Sequence, residues 1–261
     1  MMRLLRTYRV LIKNELTSRM AYRFDFFSGV VVSLIGQMLL PVITLIIYST
    51  GASFPGWSYH EVLLIQSIFI MSTSLSNALF FGVVVLVMEH IREGTFDLYL
   101  IKPARVTLLA VGRSFSFEGI FVFLGGLALF IYALSALPAP EPAAWVRFVL
   151  AFILAIAVLL GITFMIAATL FKWVGNSRLF EVYESIIEFG RYPASIYSKS
   201  FRAVITYAVP VALLGTIPAS VLLKPDSAGG LLLAAVFAFV FLGVGFTVWK
   251  LMLKSYSSTG G

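Results

Sequence analysis

Long, uninterrupted apolar runs dominate this chain of 261 residues. Because a bilayer core about 30 Å thick takes roughly 20 helical residues to cross, each run predicts a membrane-spanning helix. The runs of sufficient length are residues 26–48, 62–87, 115–137, 146–171 and 228–249. Only 12% of the residues are charged, whereas a soluble domain is about a quarter charged. We therefore expect an all-α integral membrane protein, which excludes a soluble enzyme, a nucleic-acid-binding protein and a disordered chain.

The first 25 residues are basic and amphipathic, and they lack the early apolar region of a signal peptide. Their apolar residues recur at every fourth position, which places them on one face of a helix. These residues are Leu4, Tyr8, Ile12, Leu16 and Met20. We predict an interfacial helix over residues 1–25, with its cations beside anionic membrane lipids on the cytosolic side.

The positions of Lys and Arg predict the orientation of the chain. They concentrate before residue 26, between residues 88 and 114, and after residue 249, whereas the connections 49–61 and 138–145 contain none. Since cytoplasmic loops are enriched in Lys and Arg, both termini are predicted to be cytosolic. The number of crossings must then be even, so a sixth crossing has to lie between residues 172 and 224.

Two assignments of this further crossing are open. Hydropathy and the count of cytosolic cations favour residues 201–223, although Pro210 and Pro218 would break a helix there. The alternative makes residues 176–192 a polar crossing, while 201–223 dips into the outer leaflet and returns, as irregular backbone can when protein surrounds it. That polar crossing would carry three carboxylates on one helical face: Glu181, Glu184 and Glu188. They either line a water-filled path for a cationic solute or belong to a cytosolic amphipathic helix.

The connection MEHIREGTFDLYLIKPAR, at residues 88–105, predicts a short cytosolic helix of about two turns. Gly94 should end the preceding helix, Thr95 is a candidate N-cap, and Lys102-Pro103 should stop the new helix. Its predicted face consists of Phe96, Tyr99 and Leu100. We expect this face to be exposed, either docking into a groove on another protein or lying among headgroups as a plain connector.

Taken together, these segments resemble the ABC-2 type permeases, and more narrowly the bacterial branch that works beside a separate ATPase subunit. The resemblance covers essentially the whole chain. It rests on the basic N-terminal helix, on EGTFDLYLIKP at residues 93–103, and on GRYPASIY at residues 190–197, followed by VPVA at 209–212 and IPA at 217–219.

The resemblance implies the transmembrane subunit of an ATP-driven exporter in the bacterial cytoplasmic membrane, with two ATPase subunits and a second permease, identical or homologous, as partners. In such families the matching cytosolic segment is a coupling helix that docks on the ATPase, and the N-terminal helix matching residues 4–24 also touches it. The coupling residues implied here are Glu93, Gly94, Thr95, Phe96, Asp97, Tyr99, Leu100, Lys102 and Pro103. The usual family topology has an outer re-entrant hairpin before the last helix, which favours 176–192 as the fifth crossing and 201–223 as the re-entrant segment.

The sequence also lacks the motifs of an ATPase and of a metal site, and it places one carboxylate near the end of a predicted span. No G-x-x-x-x-G-K-[ST] loop occurs, so ATP and Mg²⁺ are expected on the partner ATPase; this chain is expected to be no enzyme and to bind no cofactor. The chain has no cysteine, and His60 and His90 lie at opposite ends of one span, so we expect no metal site. Glu118 is expected to pair with Arg113 or to reach the cytosolic edge.

We predict that the solute path lies between two permeases, where the first, second and fifth spans meet. Its candidate residues are Gln37, Ser74, Asn77, Glu181, Glu184 and Glu188. The aligned acids favour a hydrophobic or cationic amphiphile, such as a drug-like molecule, as the substrate, and a lipid or a glycan stays open as an alternative. Two other classes stay open: a polytopic membrane enzyme acting on lipid, and a channel or scramblase that needs no nucleotide.

Overall fold

The computed structural model describes residue 17 and residues 22–102, 105–173, 177–224 and 228–256. The predicted interfacial helix therefore lies almost entirely outside the described residues, and so does Pro103. Throughout the described ranges the regular structure is helical, without strands. The all-α prediction is confirmed.

Five helices of the described chain are long and apolar enough to cross a membrane. They are α1 (Arg23–Ser49), the continuous segment Tyr59–Arg92, α6 (Phe117–Ser135), α7 (Pro142–Thr169) and α11 (Ala228–Lys254). The second of these consists of α2 (Tyr59–Ser76), a π-helical turn (Asn77–Phe81) and α3 (Gly82–Arg92). All five overlap the predicted apolar runs, and the second extends beyond its run at both ends. Its start is fixed by a capping box between Ser58 and Glu61.

Aromatic contacts establish that neighbouring helices run antiparallel. Tyr48 at the end of α1 meets Tyr59 at the start of α2, with ring centroids 5.7 Å apart. His60 meets Tyr132, near the end of α6, at 6.2 Å. We call this end of the bundle, which holds Trp57, the Trp57 end. The opposite end holds α4 (Asp97–Leu100) and α5 (Val106–Arg113), and we call it the basic end.

Helices α7 and α11 approach each other closely at a pair of glycines. A Cβ atom at Gly161 would overlap the backbone of Phe241, and one at Gly245 would overlap the carbonyl of Gly161. In lipid, helices associate through close van der Waals packing rather than through the hydrophobic effect, so small residues are needed where backbones meet. This contact holds α7 and α11 together as a closely packed pair of helices.

Residues 177–224 contain no single long helix. They form α8 (Ser177–Ile187), 3₁₀ turns at Glu188–Arg191 and Ala194–Ile196, α9 (Lys199–Ala203), a π-helical turn at Val204–Ala208, a 3₁₀ turn at Val211–Leu214, and α10 (Thr216–Leu223). The chain breaks at Pro210, as predicted, but the second break falls at Gly215. Pro218 lies instead in the first turn of α10, where its missing N–H removes no helical hydrogen bond.

Both ends of the stretch 195–224 contact Trp57. The indole Nε1 of Trp57 donates a hydrogen bond to Ser195 Oγ at 2.9 Å, and the ammonium of Lys224 lies 4.8 Å from the centre of the Trp57 rings. Between these points, the carbonyl of Leu214 accepts a hydrogen bond from Ser72 Oγ, well inside α2, at 3.1 Å. The stretch thus starts at the Trp57 end, reaches into the bundle and returns to the Trp57 end.

Candidate functional site

Two regions contain the predicted functional residues, and the first is the turn between α3 and α5 at the basic end. Helix α3 ends at Arg92, and Gly94 follows with a φ of 65°, a backbone conformation that favours glycine. The amides of Thr95 and Phe96 then donate to the carbonyl of His90 at 2.9 and 3.1 Å, which closes the helix end. Gly94 therefore ends the helix as predicted, but α4 is one turn long rather than two.

The predicted exposure of Phe96 and Tyr99 is wrong. Phe96 is 0% and Tyr99 1% exposed. The Phe96 ring packs against Phe171, beyond the end of α7, and Tyr256, beyond the end of α11, at centroid distances of 5.0 and 5.2 Å. Those partners lie far away in sequence, which is why the local pattern missed them. The exposed apolar side chains of the turn are Leu98, Leu100 and Ile101.

A chain of hydrogen bonds joins α3, the turn and α5. Arg113 donates to the Tyr99 hydroxyl at 2.9 Å, and that hydroxyl lies 3.2 Å from His90 Nε2. His90 Nδ1 lies 2.6 Å from Thr95 Oγ1. The Tyr99 hydroxyl, which accepts from the Arg113 guanidinium, thus connects α5 to His90, and His90 connects this hydroxyl to Thr95. Thr95 is therefore a partner of His90 and not the predicted N-cap, a position that Phe96 occupies.

The remaining predicted coupling residues surround this buried core. Glu93 is exposed, and Lys102 places its ammonium 4.9 Å from the centre of the Tyr99 ring. Asp97 lies beside Tyr256: burial raises the pKa of the Tyr256 hydroxyl, and the Asp97 carboxylate raises it further by opposing ionisation. The exposed surface of the turn is thus charged and aliphatic, whereas its buried side consists of aromatic rings and hydrogen-bonded polar groups.

The second region is the acidic face formed by α8 and the start of the 3₁₀ turn that follows it. Glu181 and Glu184 of α8 and Glu188, the first residue of that turn, are all exposed. Glu188 forms an ion pair with Arg191, one turn further along the chain. The ring of Tyr183 stacks on Phe81 of the π-helical turn, with centroids 5.6 Å apart.

A polar cavity of about 320 Å³ lies between α8 and the first two long helices. It brings together four of the predicted path residues: Gln37, Asn77, Glu184 and Glu188. Glu181 does not line it. A neighbouring pocket of about 210 Å³ shares Gln37 and Asn77 and contains the fifth, Ser74.

Ser76, a polar residue of the second span that is not among the predicted path residues, also lines the larger cavity. It is 2% exposed, and its hydroxyl has no hydrogen-bond partner among the described residues. The Oε1 atom of Gln37 is buried without a partner there as well. Unsatisfied buried polar groups are costly, so these two atoms mark positions where a ligand can supply the missing hydrogen bonds. A π-helical segment such as Asn77–Phe81 is itself frequent at functional sites.

Glu118 lies in the smaller pocket, and its partner differs from the one expected. Its carboxylate accepts a hydrogen bond from Ser33 Oγ of α1. Arg113, the predicted partner, instead donates to Tyr99. Glu118 therefore links α1 to α6 and plays no part in the turn at the basic end.

Comparison with known protein families identifies the class. Residues 34–260 match the model of a family described as ABC-2 family transporter protein. The chain belongs to this family, and so is a membrane permease component of an ABC transporter, as its motifs predicted. Comparisons with curated proteins and with solved structures gave no match. Membership implies a multi-pass membrane protein that partners with ABC ATPase subunits.

Proposed function

We propose that this chain is the permease of an ATP-driven exporter that pairs with a second permease, identical or homologous, and with two ATPase subunits. It resides in the bacterial cytoplasmic membrane with its basic end in the cytosol, while ATP and Mg²⁺ bind to the ATPases. The observation that carries the proposal is the exposed acidic face of α8. Carboxylates at membrane depth need a cavity or protein partner, because lipid cannot solvate them. A second permease facing α8 would enclose them in a polar path.

In the proposed topology residues 176–192 form the fifth crossing and residues 201–223 form a re-entrant segment on the outer side. Contacts along the second long helix support this assignment. Tyr183 stacks on Phe81, whereas Tyr192 meets Phe54 at the Trp57 end, at 6.1 Å. The stretch 183–192 thus runs antiparallel to the second span, and the stretch after it begins and ends beside Trp57.

Single cysteines test this topology, because the chain contains none. Ser195→Cys and Ser198→Cys lie on exposed positions, and a membrane-impermeant maleimide should label them from outside intact cells. Glu93→Cys, at the basic end, should be labelled only after the membrane is opened. Labelling of Ser195→Cys only in opened cells would refute the re-entrant assignment.

We further propose that the turn couples the ATPases to the transmembrane path. Its exposed residues Leu98 and Ile101 dock on the ATPase, while Phe96 and Tyr99 pass the movement to α3, α5, α7 and α11. Since these side chains are packed and hydrogen-bonded, the helices at the basic end move with the turn as a rigid body.

Co-purification tests the docking. The double variant Leu98→Ala plus Ile101→Ala should fold normally but lose the ATPase that co-purifies with the wild-type chain, because apolar anchors dominate such interfaces. Leu251→Ala removes a side chain from α11 that is also more than half exposed, and it serves as the control. If the double variant retains its ATPase and its ATP-dependent export, the docking assignment is wrong.

For the solute, the polar cavity supports a cationic amphiphile. Arg191 neutralises Glu188, and Glu184 is the carboxylate of the lining that has no ion-pair partner among the described residues. Gln37 and Ser76 offer hydrogen bonds, and the Phe69 and Phe81 rings offer apolar surface. A solute with a positively charged group beside Glu184 and an apolar body against the two phenylalanine rings would match both the polar and the apolar lining of the cavity.

A further inference from the structure

A third cavity, of about 400 Å³, lies near the basic end between α5, α7, α11 and the second long helix. It shares no lining residue with the polar cavity. Its walls are almost entirely apolar and include Leu79, Phe80, Leu108, Val111, Leu160 and Phe246. Most of these side chains are partly exposed, so the cavity opens on the outside of the chain.

Two polar side chains border this cavity: Thr107 and Arg105. The Thr107 hydroxyl is occupied, because it accepts a hydrogen bond from Nε1 of the fully buried Trp249 at 2.9 Å. This bond links α5 to α11 beside the cavity. Arg105 is exposed, and its guanidinium makes no hydrogen bond or ion pair with the described residues. The site is therefore an apolar cavity with one guanidinium at its edge that has no partner in the described part of the chain.

We propose that this cavity binds an anionic phospholipid, with an acyl chain between the apolar walls and the phosphate on Arg105. An uncharged apolar cavity of this size suits a hydrocarbon chain and excludes a polar solute. A guanidinium presents its planar donors to phosphate in two parallel hydrogen bonds. Basic pockets between membrane helices hold anionic lipid headgroups in the same way. This lipid site lies apart from the solute path and stands whether or not the proposed function holds.

Native mass spectrometry of the detergent-purified full chain tests the headgroup contact. Phosphatidylglycerol and phosphatidylcholine with identical acyl chains are titrated in parallel, and the wild-type chain should prefer the anionic lipid. Arg105→Gln should weaken phosphatidylglycerol binding about fivefold, to the level of phosphatidylcholine, whereas Arg105→Lys keeps most of the preference. Arg92→Gln removes the same charge from an exposed position at the end of α3, which is also at the basic end but does not line this cavity, and should bind both lipids like the wild type. An unchanged preference in Arg105→Gln, or an equal loss in Arg92→Gln, overturns the proposal.

A second arm tests the acyl chain. Leu108→Trp fills the cavity and should weaken both lipids, while glycerol 3-phosphate, which has the phosphate but no acyl chain, should not compete. Wild-type-like binding of both lipids by Leu108→Trp would contradict the cavity assignment. Competition by glycerol 3-phosphate would show a simple phosphate site and overturn the lipid proposal. Thermal unfolding establishes whether each variant is folded. If Leu108→Trp does not fold, the lipid preference of Arg105→Gln, whose substitution is at an exposed position, decides whether the proposal holds.

Discussion

The turn at the basic end and the acidic helix α8 are built in opposite ways. In the turn, Phe96 and Tyr99 are buried, and the polar atoms of Tyr99 and His90 have partners within the same chain. On α8, Glu181 and Glu184 are exposed, although the helix belongs to a segment that we place in the membrane. The side chains of the turn find their packing and hydrogen-bond partners within one chain, so the turn can transmit force. The carboxylates of the acidic face are exposed in one chain, so they need a partner chain or a solute beside them.

The largest effect expected from this contrast is on stability. Phe96→Ala should destabilise the protein by about 3–5 kcal/mol, because it leaves a cavity in the aromatic cluster with Phe171 and Tyr256. Thermal unfolding in detergent measures the loss. Leu98→Ala is the matched control: this side chain is 53% exposed, and its removal should leave the unfolding temperature almost unchanged. Equal melting temperatures for the two variants would show that the turn is not packed as described.

Replacement of the acids should instead affect transport without affecting stability. Glu184→Gln should lower export of a cationic amphiphile by about tenfold or more, since a charge-assisted hydrogen bond contributes about 1.5–3 kcal/mol. Glu181→Gln, one turn away on the same face, should transport normally because Glu181 lines neither polar pocket. Export assays on inside-out vesicles containing the assembled transporter measure both. Equal losses of export in the two variants would mean that the whole acidic face contributes to transport, and that Glu184 has no special role as a residue of the cavity.

The sequence predicts a region well when its structure depends on residues that are close in the chain, and poorly when it depends on residues that are distant in the chain. The long spans and the shared face of the three acids depend on neighbours within a few turns, and both were predicted from the chain alone. The burial of Phe96 depends on Phe171 and Tyr256, which helix packing brings to it from distant parts of the chain. The sequence also does not predict that the Ser76 hydroxyl lacks a partner among the described residues, because a serine within an apolar helix usually bonds to a carbonyl of its own helix, as Ser74 does here.

The smallest predicted effect separates packing from hydrogen bonding inside the turn. Tyr99→Phe keeps the buried ring but removes the hydroxyl that accepts a hydrogen bond from Arg113 and forms another with His90. We expect a stability loss of about 1–2 kcal/mol, well below that of Phe96→Ala. Tyr132→Phe, whose ring is 55% exposed on α6, is the control and should melt like the wild type.

The same variant also tests transmission, because its docking surface is unchanged. Tyr99→Phe should still co-purify with the ATPase through Leu98 and Ile101, yet solute should stimulate ATP hydrolysis less than in the wild type. The reason is mechanical: without the hydroxyl, α5 is no longer tied through Arg113 to His90 at the end of α3. If Tyr99→Phe retains full stimulation, the hydrogen-bonded chain only stabilises the turn, and the movement passes through the aromatic contacts of Phe96.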